Sequence, residues 1–219
     1  MVVDVVIDIE TENTGYDIKE DNKRIISVQL YDGIKEEFYY ADSTTSSLDI
    51  GKARIKTLLD NGVQFVGYNI IYFDLPLIRN LLGIEIPLSR VIDISEMKAM
   101  VLLKNQLNKK GVSLEEACSN FGIKCEHKRL LEPIVNRIKQ LPEVIEAANA
   151  GGLRLANKRG WSVDFSRSYA LNKISGGMAI LESYKEFVQS NGNNNSIFFK
   201  YAIGDVIAEY QLYQKLRDS

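Results

Sequence analysis

The segment VVDVVIDIE, residues 2–10, constrains this chain more than any other. A nearly unbroken run of β-branched residues at 2–9 reads as a strand buried on both faces, which requires a sheet covered by helices on both sides. The run ends in Asp8 and Glu10. Alternate residues of a strand share a face, so two carboxylates meet where the strand leaves the core. Like charges held that close repel unless a cation lies between them.

The following segments extend the sheet. Residues 24–31 and 34–40 flank Asp32-Gly33, a hairpin signal. Residues 49–62 carry a helical period that stops at Asn61-Gly62. A short buried strand at 63–69 precedes a helix at 73–83 with Pro76 in its first turn. A further strand at 91–94 leads into a helix over 95–103. Within 112–124, Ser113 and Glu116 form a capping box that opens a helix, and Gly122 closes it. Residues 127–196 show helical patches at 132–152 and 176–192 alternating with Gly/Asn-rich breaks, and 191–196 reads as an exposed loop. A long helix covers 198–218. The predicted fold is α/β, with an antiparallel meander, then parallel strands, and helices on both faces of a mixed sheet.

No stretch approaches the ~18 consecutive apolar residues of a membrane span, and the apolar N-terminus has no basic flank. Cys118 and Cys125 match no zinc spacing and are expected as reduced thiols. Together these features predict an intracellular, cytoplasmic protein with no membrane partner. The net charge is only −2, but residues 124–173 hold ten Lys/Arg against five Asp/Glu. That local +5 leaves −7 on the rest of the chain. Such segregation offers a polyanion a basic surface, although on its own it more often marks a solvated helical face.

An open α/β sheet gathers its functional groups outside the carboxyl ends of its strands. Other acids occupy matching places. Asp74 follows the strand at 63–69 and opens a helix, and Asp93 closes the strand at 91–94. Tyr201 and Asp205 stand one helical turn apart, on a face with Ala202, Ala208 and Leu212 that aims Asp205 inward. Singly these are an ordinary strand end, helix cap and surface pair. In conjunction they form a converging acidic set. Such a set needs hard divalent cations, Mg²⁺ or Mn²⁺, and two of these roughly 4 Å apart clamp a phosphodiester.

DIE (8–10), NIIYFD (69–74) and YAIGD (201–205) resemble the three motifs of the DEDD 3′–5′ exonucleases, which have a ribonuclease H-like fold. VGYNIIYFDLPLI, VIDI and GVSLEEACSNFGIK more narrowly resemble the proofreading exonuclease domain of family B DNA polymerases. The resemblance covers about residues 1–125 and 197–217. It implies that Asp8 bridges two metals and that Glu10 completes the tighter site and meets the terminal 3′-hydroxyl, with the Thr11 backbone nearby. It further implies that Asp74 holds the second metal, that Asp205 ligates the first, and that Tyr201 orients the attacking water. Asn69 and Phe73 would contact the terminal nucleotides. Lys200 stands where one branch of the family has a histidine, so the tyrosine (DEDDy) branch fits. The only histidine, His127, is expected in an exposed or hydrogen-bonded structural role.

The implied activity is release of nucleoside 5′-monophosphates from single-stranded DNA 3′ ends by two-metal-ion hydrolysis. With no room in 219 residues for a polymerase palm or fingers, a free-standing nuclease or detached subunit is expected. The alternatives are an exoribonuclease of the same fold and a catalytically inactive nucleic-acid-binding subunit. Residues 127–196 exceed the family's pattern and are read as a helical insertion within a single domain, 1–219, that grips the strand or restricts access to its end. Trp161, Phe165 and Tyr169 recur every fourth residue there. A stripe of this kind can stack on bases but is more commonly core, and core is the expectation.

Overall fold

A computed structural model describes residues 4–12, 24–42 and 47–217. The expected strand residues 2 and 3 and the last helical residue, 218, lie outside them. Five strands, β1 (Asp4–Thr11), β2 (Ile25–Tyr31), β3 (Glu36–Tyr40), β4 (Gln64–Gly67) and β5 (Val91–Asp93), form one sheet in the order β3-β2-β1-β4-β5. β2 and β3 pair antiparallel from Ser27↔Tyr40 to Tyr31↔Glu36. In the turn between them, Asp32 Oδ1 accepts hydrogen bonds from the Ile34 and Lys35 amides, and Gly33 adopts a φ of 92°. β4 pairs parallel with both β1 and β5. The sheet is therefore mixed, and the chain is α/β.

The chain divides into two compact units, residues 1–10, 25–127 and 202–219 in the first and 11–24 and 128–201 in the second. In the first unit, strand alternation separates two layers. Val5, Ile7 and Ile9 of β1 join Val28 and Leu30 of β2 in a core shared with Ile55 and Leu58 of α1 (Ser47–Asp60). The opposite face meets α8 (Ile197–Arg217): Tyr213 donates its hydroxyl to Asp4 at 2.9 Å, and the Tyr210 and Tyr31 rings meet edge-on at 5.2 Å. Helices thus cover both faces. The shorter helices α2 (Asp74–Leu77), α3 (Lys98–Gln106) and α4 (Leu114–Asn120) complete this unit. Ser113 caps α4 by accepting from the Glu116 amide.

The second unit is helical, with α5 (Glu132–Ile138), α6 (Pro142–Arg159) and α7 (Val163–Gln189) around Leu131, Ile138, Val144, Leu155, Ala170 and Ile174. Here the structure corrects two expectations. Gly151-Gly152 and Gly176-Gly177 do not break the chain but lie inside α6 and α7. At Gly152 the reason is contact, because a Cβ would stand 2.6 Å from Arg167 Cα on α7. Burial between helices overrides the roughly 1 kcal/mol that glycine costs in a helix. The aromatic stripe is core only in part, since Tyr169 packs against this unit's cluster and the other two rings do not join it. Phe165 is 56% exposed, and Trp161 and Tyr169 are half-buried. Residues 191–196 form the expected exposed turn, and the Ser196 hydroxyl accepts from the Phe199 amide at the start of α8.

Candidate functional site

β1 runs beyond its partner β4, whose register with it ends at Val6↔Val66. Past that point Asp8 and Glu10 leave the sheet on the α8 face, the same face as Asp4. Asp205 reaches them from α8. Each of the three offers a carboxylate oxygen, and these oxygens all lie within 4.8 Å of one another. Glu10 and Asp205 are buried and Asp8 is half-buried.

Asp74 opens α2 and is 3% exposed. Its Oδ1 is buried with no hydrogen-bond partner. Burial first, and then the charges of Asp8 and Glu10, hold its carboxyl well above the usual carboxylate range. A buried carboxylate oxygen without a donor is costly. Asp74 lies outside the cluster of three but feels the Asp8 and Glu10 charges, and a hard cation taking oxygen ligands would relieve both that cost and the repulsion. The donor set, all carboxylate oxygen, fits Mg²⁺ or Mn²⁺ and not a soft metal.

Asp93 does not join this set. Its Oδ1 accepts from the Asn69 and Ser95 amides, both at 2.9 Å, and Oδ2 from the Ile71 amide at 3.2 Å. It ties down the turn that delivers Asp74. Asn69 enters that turn at a φ of 61°, outside the ordinary range for a non-glycine residue, and the Asp93 bond holds it there. The Asn69 side chain is exposed, whereas Phe73 packs against the sheet core.

His127, expected to be exposed or hydrogen-bonded in a structural role, is hydrogen-bonded, and its partner belongs to the acidic set. Its Nε2 lies 3.0 Å from Asp205 Oδ1. The ring rests against Gly204, where any Cβ would collide with it. The one signal that pointed to this contact was a glycine inside a strong helix, immediately before the acid. Cys118 is buried and Cys125 half-buried, and neither is in a disulfide. Burial, and then the hydrogen bond with Cys125, push the Cys118 thiol far above its ordinary range.

Two expected site residues belong to the second unit. Thr11 ends β1 and is buried. Tyr201 precedes Asp205 by four residues on α8 and packs against the second unit's core. Lys128 Nζ donates to its hydroxyl at 3.2 Å and lies 4.6 Å from its ring centroid.

No protein-family model matches the chain, and no curated protein matches it.

Proposed function

We propose that the protein is a metal-dependent 3′–5′ exonuclease of the DEDDy type on a ribonuclease H-like sheet, acting on single-stranded DNA 3′ ends. One observation carries it: Asp205, far along the chain from Asp8 and Glu10, presents a carboxylate oxygen within 4.8 Å of theirs, and the buried Asp74 carboxyl feels the charges of Asp8 and Glu10. The mixed sheet, with its meander followed by parallel strands and its helices on both faces, supports the same assignment.

Asp8, Glu10, Asp74 and Asp205 would hold Mg²⁺ or Mn²⁺. When bound, a pair of such ions supplies charge to a phosphodiester and to the oxygens that attack and leave it. The residues of the chain do the rest. Rigid β1 and α8 fix the carboxylates in place before substrate arrives, so no reorganisation is needed during reaction. Asp93 holds the turn that sets Asp74 in position. Tyr201 is the hydroxyl proposed to orient the attacking water, and Asn69 and Phe73 to contact the terminal nucleotides.

The deciding experiment incubates matched 5′-labelled DNA and RNA oligomers with the protein and Mn²⁺. Progressive shortening of DNA from its 3′ end, lost with EDTA, is expected. Asp8→Asn and Asp205→Asn should each lower the rate about 1000-fold, since the metal site is worth several kcal/mol to the transition state. Tyr201→Phe should lower it less. Preferential RNA shortening would transfer the activity to an exoribonuclease. Stable binding without shortening would leave an inactive binding subunit.

A further inference from the structure

The turn between α6 and α7 carries a second, separate feature. Residues 153–173 include Arg154, Lys158, Arg159, Arg167 and Lys173 against a single acid, Asp164. Three aromatic rings stand among these cations. Trp161 meets Phe165 edge-on at 5.2 Å and Tyr169 at 5.4 Å, and the Phe165 and Tyr169 centroids are 6.5 Å apart. The Arg159 guanidinium lies 4.8 Å from the Trp161 ring centroid and the Lys173 ammonium 5.7 Å from that of Tyr169. Leu153, Val163 and Phe165 leave the same turn with exposed apolar surface. Nothing in folding requires a phenylalanine to remain more than half exposed, and apolar surface rimmed by charge marks an interaction site.

We propose that Trp161, Phe165 and Tyr169, with Arg154, Lys158 and Arg159, form a stacking platform for single-stranded nucleic acid. The choice of that polymer rests on the function proposed above, while the platform stands on its own geometry. Rings interleaved with cations match a polymer that alternates flat bases with phosphates. A duplex hides its base faces and gives the rings nothing to stack on. The Ser162 hydroxyl, accepting from the Phe165 amide at 3.3 Å, caps α7 and fixes where the stripe begins. Tyr169 is seated on the core of the helical unit and Trp161 meets both other rings edge-on, so the rings are preset and binding orders little that is not already ordered.

Trp161 is the only tryptophan in the chain and reports directly on the site. The full-length protein is titrated with an oligothymidylate in EDTA, where no strand is cut, and tryptophan fluorescence is read. Saturable quenching is expected. Phe165→Ala, at an exposed position that does not endanger folding, should weaken binding about 5- to 100-fold. An abasic strand of equal length, with the same phosphates but no bases, should bind more weakly and quench little. Replacing Arg154, Lys158 and Arg159 together with Ala should reduce the slope of log affinity against log salt by about 2. Equal affinity for the abasic strand, an unchanged Phe165→Ala, or binding to anionic lipid vesicles in place of the oligomer would each overturn the proposal. Shortening of the strand in Mn²⁺ is a separate readout, so the nuclease assignment and the platform can fail independently.

Discussion

His127 Nε2 stands 3.0 Å from Asp205 Oδ1, a contact between residues 78 positions apart whose side chains are 11% and 7% exposed. With its proton on Nε2 the imidazole donates to the carboxylate and fixes the direction of its oxygens. Asp205 is thereby held in its orientation toward Asp8 and Glu10. Carboxylates that bind metals are commonly held in this way by an outer partner, and loss of the partner weakens the site without removing a ligand.

His127→Ala should therefore lower Mn²⁺ affinity about 10- to 100-fold, measured by isothermal titration calorimetry. The fold should survive, with a loss of about 1–3 kcal/mol for the missing hydrogen bond. His127→Asn keeps a donor on a shorter side chain and should recover part of the affinity. An unchanged Mn²⁺ isotherm for His127→Ala would reduce the histidine to packing.

Gly204→Ala offers a second route to the same contact. In an exposed helix this change stabilises by up to about 1 kcal/mol. Here the added methyl meets the His127 ring, and overpacking should instead cost about 1–3 kcal/mol, read by urea denaturation. In the Gly204→Ala/His127→Ala double variant the penalty should largely vanish. A purely additive pair would show that the ring is not what the glycine accommodates.

Asp93→Ala tests the turn. Three amides, those of Asn69, Ile71 and Ser95, lose their acceptor, at about 1–3 kcal/mol for each that stays buried and unpaired. Because this turn delivers Asp74, Mn²⁺ binding should weaken along with stability. Hydrogen exchange should locate the new opening at residues 69–75. Loss of stability with unchanged metal affinity would mean that Asp74 is positioned by other contacts.

Much of this was legible in the sequence, and for identifiable reasons. The pairing of Asp8 with Glu10 follows from strand alternation, the hairpin from Asp32-Gly33, and the inward aim of Asp205 from its apolar neighbours on α8. These are local rules acting over a few residues. What was not legible depends on tertiary contact. His127 looked unremarkable because its partner lies 78 residues away. Asp93 looked like one more strand-end acid, and only the amides around it show that its oxygens are already engaged. Gly152 read as a break because its contact, Arg167, is on another helix. The aromatic stripe had the spacing of a core seam, and Tyr169 does pack on the core, but periodicity does not say how far along the stripe the neighbouring helices reach, and Phe165 is left exposed.

Asp74 links stability to pH in a direction that can be worked out. Burial, Asp8 and Glu10 raise its carboxyl pKa in the folded protein; in the unfolded chain it lies near 3.9. Between the unfolded and folded values the native state binds more protons than the unfolded one. Stability of the metal-free protein should therefore fall as pH rises through that window and level off above the folded value. Asp74→Asn removes the titrating group and the buried charge, so its melting profile should be flatter with pH. At pH 8 without metal it should be more stable than wild type, by on the order of 1–3 kcal/mol. Saturating Mn²⁺ should reverse the order. A ligand at 100 times its dissociation constant stabilises the folded state by about 2.7 kcal/mol, and only the protein that keeps Asp74 should gain this in full. Thermal melts of both proteins in EDTA and in Mn²⁺, across pH 4 to 9, read all of these effects. Parallel profiles for the two would show that Asp74 feels neither the acidic cluster nor a cation within it.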